Sequence, residues 1–219
     1  MDATVGIRRL ALRPWLVSLL LGVALGAASL VGDAIGMRLL NGLANAAGPW
    51  LLVAFAAGLG HLDLRAGAVG GALSLLAAVA TYYVGIPILW GPDHAYAGPL
   101  IALWIVAAVV GGAVFGAAGS AWRGATGRTR MIAGALPPAA LLAEALHRLL
   151  QIEPWTGFDA SGTYAQVMLA ELVAGVIALW FVVRGPDRRA TSIAAAGLIV
   201  AGLATFLAVE RLAGVLAFL

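Results

Sequence analysis

Long apolar runs separated by short polar segments dominate the pattern of this chain. A bilayer core about 30 Å thick requires roughly 20 apolar helical residues for each crossing, and charges and Pro/Gly/Asp turns divide the chain into seven such runs. We therefore predict an all-α integral membrane bundle, a single polytopic domain over residues 1–219, with seven transmembrane helices at about residues 14–32, 43–60, 66–90, 99–121, 131–150, 164–183 and 190–209. The second run is the weakest, because its uninterrupted part, residues 49–60, is too short to cross alone. Six spans is the alternative count.

The arginines predict the orientation of the bundle, since cytoplasmic loops retain positive charge. With a cytoplasmic N-terminus, all but three of the 13 basic residues lie on the inner side, and only Arg38, Arg148 and Arg211 lie outside. Tryptophans fall near both predicted boundaries, as expected of interfacial aromatic rings. We predict a multi-pass protein of the inner (cytoplasmic) membrane. A signal peptide cleaved near Ala28 is the alternative for the first run, whose apolar region is longer than the usual signal core.

Composition excludes several functional classes. The 219 residues are 63% hydrophobic and 11% charged, with a mean hydropathy of +1.00, unlike an ordinary soluble domain. The net charge is +3 and the arginines lie in short clusters between the apolar runs, so no nucleic-acid partner is expected. The absence of cysteine removes disulfides, thiolate metal sites and thiol catalysis. Phosphate-loop, Rossmann and nucleophile-elbow motifs are also missing, and we expect no cofactor.

Small residues at four-residue spacing occur on several predicted spans, as helices that pack closely in lipid require. The pairs are Gly22 with Gly26, Ala24 with Ala28, Gly67 with Gly71, Gly112 with Gly116, and Gly197 with Ala201. In a chain with 29 glycines such pairs also arise by chance. They indicate tight packing without showing which helices touch.

Two acidic residues lie well inside predicted spans, Glu144 in the fifth and Glu171 in the sixth. A charge near the centre of a span costs about 2.5–3.5 kcal/mol on insertion scales, so each residue requires a partner or a function. His147 and Arg148 follow Glu144 at i+3 and i+4 and share its helix face. Tyr164 precedes Glu171 by two helical turns on the same face.

We predict that these five residues line a ligand-binding pocket that opens outward between the first, fifth, sixth and seventh spans. Side chains of mixed sign and type at neighbouring outer ends favour such a polar cavity: Asp33, Arg38, Asn41, Asn45, Asp93, His94, Glu153, Asp159, Glu210 and Arg211. Two other interpretations stay open. In one, Glu144 and Arg148 form only an ion pair and Glu171 is neutral or bonded to a hydroxyl. In the other, the carboxylates belong to a proton or ion pathway.

Metal binding and catalysis are less favoured by the same residues. A metal site requires His94 and His147 to converge with Asp93 or Glu144, and the chain has no HxxxH or HExxH spacing. We predict no metal site and assign no catalytic residue. His61, in the segment HLDLR between two predicted spans, is expected to be a solvated turn residue.

The segments GPWLLVAFAAGLG, TYYVGI and LWIVAAVVGGAVFGAAGSAWRG resemble a family of small bacterial multi-span proteins, domain of unknown function 6518. The resemblance extends over about residues 22–184. This family has no assigned activity, so the resemblance implies a membrane-protein class and no particular chemistry.

Two weaker likenesses each imply a particular function, one in transport and one in catalysis. Ala24 and Ala28 match the Ala-x-x-x-Ala pattern with which substrate-binding membrane subunits of energy-coupling-factor importers dock their transporter core. Those subunits have six spans with both termini inside, whereas this chain has seven predicted spans. By architecture alone, the chain also resembles seven-span membrane cyclases of terpenoid biosynthesis, in which two acidic side chains protonate a lipophilic substrate. That likeness implies such roles for Glu144 and Glu171.

Three functional hypotheses follow from these patterns. The first is binding or transport of a small molecule in the outward pocket, with the lipid bilayer as surroundings and a helix-mediated oligomer or a transporter as an open partner. The second is a membrane-embedded enzyme that uses Glu144 or Glu171 as general acid on a lipophilic substrate. The third is a structural membrane protein whose charges only pair.

The arginine distribution generates a topology prediction. Reporters fused after Arg130 and after Arg189 are expected to read cytoplasmic, and a reporter fused at Leu219 is expected to read external. Alkaline phosphatase and green fluorescent protein fusions provide the two complementary signals. A cytoplasmic C-terminus would reduce the count to six spans and favour the likeness to importer subunits.

Overall fold

The computed structural model describes residues 3–35, 38–92, 98–151, 163–184 and 188–216. Within these ranges the chain forms helices and no strand: α1 Ala3–Ile35, α2 Arg38–Ala44, α3 Ala47–Leu59, α4 Leu64–Trp90, α5 Gly98–Gly124, α6 Gly127–Leu150, α7 Thr163–Val183 and α8 Arg188–Leu216. The prediction of an all-helical protein is confirmed for the part of the chain that the structure describes.

Five of these helices are long and apolar enough to cross a bilayer. The segments are Leu12–Ile35 of α1, Leu64–Trp90, Gly98–Gly124, Ala165–Val183 and Arg188–Leu212. Large apolar side chains are exposed along them, Val110 and Val200 among others. An apolar surface of this extent is stable where lipid covers it. The chain is therefore an α-helical membrane protein with several spans.

Two predicted spans differ from this simple pattern. The second is divided, because α2 ends at Ala44 and α3 begins at Ala47, and α3 alone has only 13 residues. The fifth corresponds to α6, which carries several charged residues and is not among the five apolar spans. Most of α6 between Ala133 and Ala145 is buried against other helices. Glu144, in this buried stretch, therefore faces protein instead of lipid, which is where charged residues inside membranes are tolerated.

Helices that follow one another in the chain run in opposite directions, with α2 and α3 counted as one. The contacts of α1 with α4 advance together along both helices, from Gly22 and Ser74 to Gly26 and Ala78, so these two helices are parallel. By the same criterion α4 and α5 are antiparallel, as are α6 and α7, whereas α6 and α8 are parallel. The break between α2 and α3 and the outer-side residues predicted on α6 and α7 consequently lie towards the same end of the bundle.

Glycines bring α3, α4 and α5 into backbone contact in the half of the bundle away from the break. We call this contact the glycine crossing; its members are Gly58, Gly67, Gly71, Gly112, Gly116 and Gly119. A Cβ atom added at Gly116 would lie 2.8 Å from the Cα atom of Gly71, which real Cβ atoms do not tolerate. The four-residue spacing in α4 and α5 therefore marks a real interface. Gly197, on α8, has no such neighbour.

His61 contradicts the expectation of a solvated turn residue, because its side chain is 5% exposed. Its ring centroid lies 4.5 Å from that of Trp15, and its Nε2 atom is 3.3 Å from the Ser18 hydroxyl. The physical reason is that α1 packs over the connection between α3 and α4, with Trp15 and Ser18 against the His61 ring. Burial lowers the pKa of His61 below its usual value, which favours a neutral ring.

The glycine crossing generates a stability prediction. Gly116→Ala forces a methyl group against backbone atoms of α4, and such overpacking typically costs about 1–3 kcal/mol. Gly197→Ala is the matched control, because a Cβ there meets no atom within 4 Å. The free energy of unfolding in mixed micelles, measured by detergent titration, is expected to fall for Gly116→Ala and to stay equal or rise slightly for Gly197→Ala. Equal stability of both variants would contradict the tight crossing.

Candidate functional site

The N-terminus of α3 is capped by a side chain from another helix. Its N-cap residue, Ala46, makes no side-chain capping bond. The Glu144 carboxylate of α6 performs this role instead, accepting hydrogen bonds from the backbone N–H groups of Ala47 at 2.9 Å and Gly48 at 2.5 Å. A carboxylate at this position satisfies two otherwise unpaired donors and lies at the positive end of the helix dipole.

Arg148 joins Glu144 to Glu171. Its Nη2 atom donates to the Glu144 Oε1 atom at 2.8 Å, and its Nε atom donates to the Glu171 Oε2 atom at 3.3 Å. Glu144 is 4% exposed and Glu171 is 1% exposed. We call these three residues the carboxylate cluster. The ion pair of Glu144 and Arg148, one of the interpretations offered by the sequence, is present, and the partner of Glu171 comes from the neighbouring span.

Gly48 allows the two carboxyl groups to approach the end of α3. A Cβ atom at this position would lie 3.2 Å from the Glu144 Oε2 atom, 3.3 Å from the Glu171 Oε1 atom and 2.7 Å from a methyl group of Leu141. Both acidic side chains therefore meet the same point of the backbone. A larger residue at position 48 would displace them.

A second polar cluster, centred on Asp33, holds the other side of the break. The Asp33 carboxylate accepts hydrogen bonds from the side-chain amides of Asn41 at 2.9 Å and Asn45 at 2.7 Å, and from the Tyr82 hydroxyl at 2.6 Å. These donors come from α2, from the break itself and from α4. We call these four residues the Asp33 cluster; it ties the end of α1 to the interrupted helix.

The last carbonyl of α2 also has partners from elsewhere in the fold. The Ala44 oxygen accepts hydrogen bonds from the Ser29 hydroxyl at 3.1 Å and from the Trp50 indole N–H at 2.9 Å. Irregular backbone at membrane depth is tolerated where protein groups satisfy it. The break is thus built into the bundle, with donors and acceptors supplied from α1, α3 and α6.

A cavity of about 250 Å³ lies beside the break, between α3, α4 and α5. Its wall is mainly apolar and aromatic, and the break contributes one side of it. The lining residues are Ala44, Asn45, Ala46, Ala47, Trp50, Leu51, Leu75, Val79, Tyr82, Tyr83, Leu100, Trp104, Ala107 and Ala108. Ala47 therefore faces this space while its backbone N–H group binds Glu144.

Of the five predicted site residues, the four whose side chains the structure describes do not line this cavity. Glu144, Arg148 and Glu171 meet in the carboxylate cluster on the opposite side of the break. His147 instead pairs with Glu210 of α8, with Nε2 2.8 Å from Oε2, and stacks on Phe206. Tyr164 belongs to the first turn of α7, and its side chain lies outside the described residues, as do Asp93, His94, Glu153 and Asp159.

The position of this cavity differs from that of the pocket predicted from the sequence. We predicted a polar space between the first, fifth, sixth and seventh spans, whereas this cavity is largely apolar and lies between the second, third and fourth. The three charged residues do not line this cavity because they bind one another and the first turn of α3: Glu144, Arg148 and Glu171. The cavity wall includes four aromatic residues: Trp50, Tyr82, Tyr83 and Trp104. In the sequence, the two tryptophans indicate only the membrane interface, and the two tyrosines indicate no site.

Comparison with known proteins gives a family and no activity. The chain belongs to the Family of unknown function (DUF6518), which matches residues 7–215. Neither a curated protein nor a solved structure matches the chain significantly. The family resemblance seen in the sequence is confirmed, and the activity has to be argued from the site.

The capping role of Glu144 generates a prediction that an ion pair alone does not. Glu144→Leu leaves Arg148 partly uncompensated, and breaking a buried pair typically costs about 3–5 kcal/mol. Adding Arg148→Leu relieves that charge but leaves the amides of Ala47 and Gly48 without their acceptor, at about 1–3 kcal/mol each, and also removes the Arg148 partner of Glu171. The double variant is therefore expected to stay clearly less stable than wild type when unfolding is measured in micelles.

Glu210→Leu provides the control for that experiment. Glu210 lies towards the same end of the bundle and pairs with His147, but its side chain is 51% exposed. Exposed pairs contribute about 1 kcal/mol or less, so little change is expected. Full recovery of stability in the Glu144→Leu, Arg148→Leu double variant would show that the end of α3 does not depend on the carboxylate.

Proposed function

We propose that this membrane protein binds a small molecule in the cavity beside the break of the second span, as a binding or transport protein. The observation that carries the proposal is the cavity itself, placed where a broken helix, an aromatic wall and a few polar groups meet. Pockets of about 300–1,000 Å³ with mostly apolar walls and few polar groups are typical of small-molecule sites. A volume of about 250 Å³ lies just below that range and suits a small ligand.

The position of the cavity supports access from the outer side. The glycine crossing joins α3, α4 and α5 below it, where backbones touch, whereas Tyr83 and Trp104 separate α4 from α5 above. The alternating helix directions support seven crossings, with α2 and α3 together as the second. With the arginine clusters inside, the cavity belongs to the outer half and the protein to the cytoplasmic membrane.

The lining suggests the chemistry of the ligand. Leu75, Val79 and Ala108 form an apolar floor, on which an alkyl or aryl group gains by leaving water. Asn45 and Tyr82 supply the polar groups at the break, and both belong to the Asp33 cluster. A small amphipathic molecule, with one apolar part and a hydrogen-bonding end near Asn45, fits this distribution.

The predicted ligand residues enter the proposal in a different role. Glu144, Arg148 and Glu171 hold the backbone that forms one wall, so they position the site without lining it. A general acid must reach the atom that it protonates. The enzymatic alternative is therefore less favoured for a molecule in this cavity.

Filling the cavity tests the proposal. Ala108 lines the cavity, and Ala108→Phe is expected to occupy the space that the ligand requires. Val110, two residues along on α5, is 58% exposed on the lipid-facing surface, so Val110→Phe adds the same ring to the same helix without entering the cavity. Native mass spectrometry is expected to show a retained small molecule in wild type and Val110→Phe, and at least a tenfold loss in Ala108→Phe.

Two outcomes of this experiment would contradict the proposal. Equal retention by Ala108→Phe and wild type would place the molecule elsewhere. A wild type that retains nothing, and that no member of a library of small amphipathic compounds stabilises against heat, would remove the binding function altogether.

A further inference from the structure

One oxygen atom of the carboxylate cluster has no hydrogen-bond partner. The Glu171 Oε2 atom accepts from Arg148, but the Oε1 atom, fully buried, is unpaired among the described residues. Leaving a buried charged oxygen unpaired is costly, and such an atom in a native structure calls for an explanation. The Glu144 Oε2 atom and the Glu171 Oε1 atom converge on one point of the backbone, since a Cβ atom at Gly48 would lie 3.2 Å and 3.3 Å from them, so a single proton shared by the two groups would complete the pairing.

The charges around Glu171 support a proton at this place more than a metal cation. Among the described residues, α2, α6 and α8 pack against α7, and Gly48 of α3, a helix without charged residues, lies against Glu171. From α6, Glu144 and Arg148 face Glu171, and His147 turns to Glu210 of α8. The other charged residues of these helices are exposed or undescribed: Arg128, Arg130, Arg188, Arg189 and Arg211 are exposed, and the side chain of Arg38 lies outside the described residues.

The net charge of the carboxylate cluster also favours a proton over a metal cation. The cluster has two carboxyl groups and one guanidinium group, so it carries one negative charge when both carboxyl groups are ionised. Arg148 already binds one oxygen atom of Glu171, and its positive charge would repel a metal cation at the other. A proton needs no additional space and turns the unpaired oxygen into a donor.

We propose that Glu144 and Glu171 form an exchangeable proton site, and that its occupancy controls the break between α2 and α3. A hydronium ion from the outer side transfers its proton to the Glu171 Oε1 atom, which then donates to the Glu144 carboxylate. Release is the reverse step, in which that O–H bond breaks and water takes the proton. No other bond changes.

The consequence passes through Glu144 to the wall of the cavity. In the protonated cluster, the carboxyl groups attract each other and Glu144 holds the amides of Ala47 and Gly48. Without the proton, two like charges repel at close range and weaken this hold. Since Ala47 also lines the cavity, proton occupancy alters the site of the proposed function, on which this last step rests.

The experiment measures the proton and the break separately, without any ligand. Infrared spectroscopy detects the C=O stretch of a protonated carboxyl group, and above about pH 6 ordinary Asp and Glu side chains are ionised and silent. The Trp50 indole N–H group, bonded to the Ala44 carbonyl across the break, reports its geometry by NMR and is assigned by its loss in Trp50→Phe. Both signals are followed as the pH is raised from 6.

The expected result is one carboxylic acid band in wild type that disappears as the pH rises, with a Trp50 shift of the same midpoint. Glu171→Gln is expected to lose this band at every pH and to hold the Trp50 resonance fixed. Glu210→Gln is the matched control and retains both effects, since Glu210 is half exposed and bound to His147 and Gln151. Should Glu171→Gln fail to fold, Glu144→Gln serves for the same comparison.

Two results from the wild-type protein would overturn the proposal, independently of the results for the variants. One is a wild type without a titrating carboxylic acid band over the range in which it stays folded. The other is a Trp50 resonance that does not move while the band disappears. Failure of ligand binding in the Ala108→Phe experiment leaves both signals unaffected, so the two proposals fail independently.

Discussion

The bond between the Glu144 carboxylate and the first amides of α3 is the contact on which the rest of this structure depends. The sequence places Ala46 at the N-cap, where no side chain is available, so the helix can begin there only if another element supplies an acceptor. That acceptor carries a charge, which in turn requires Arg148 and brings Glu171 into the same pocket. One unsatisfied helix end thus explains why ionisable residues are present inside a membrane bundle.

The second determinant is the uneven packing of α3, α4 and α5. Hydrophobic drive does not bring helices together in lipid, so close backbone contact has to come from small residues. Gly71, Gly112 and Gly116 provide it in one half of the bundle, and bulky aromatic residues such as Trp104 prevent it in the other. A cavity at the break follows from this difference, because helices in contact at one end and separated at the other enclose a wedge of space.

The sequence allowed much of this architecture to be predicted, for identifiable reasons. Hydropathy reports contact with lipid, so the long helices were found, and the spacing of Glu144 and Arg148 on one turn predicted their ion pair. Local patterns do not report tertiary partners. The cap on α3, the acceptor role of Asp33 towards Tyr82, and the cover of α1 over His61 all join residues distant in sequence. These contacts, and the cavity that they shape, required the structure.

The two polar clusters hold the break with different kinds of group, and this difference has a physical consequence. Asp33 receives three neutral donors from amides and a hydroxyl, so its bonding does not depend on the protonation of a second acid. Glu144 shares its surroundings with another carboxyl group and one arginine, so its bonding depends on the proton count of the cluster. The α2 side of the break is accordingly the fixed one. With the proposed proton site, the proton count acts on the first turn of α3, which is the part of the broken helix that borders the cavity.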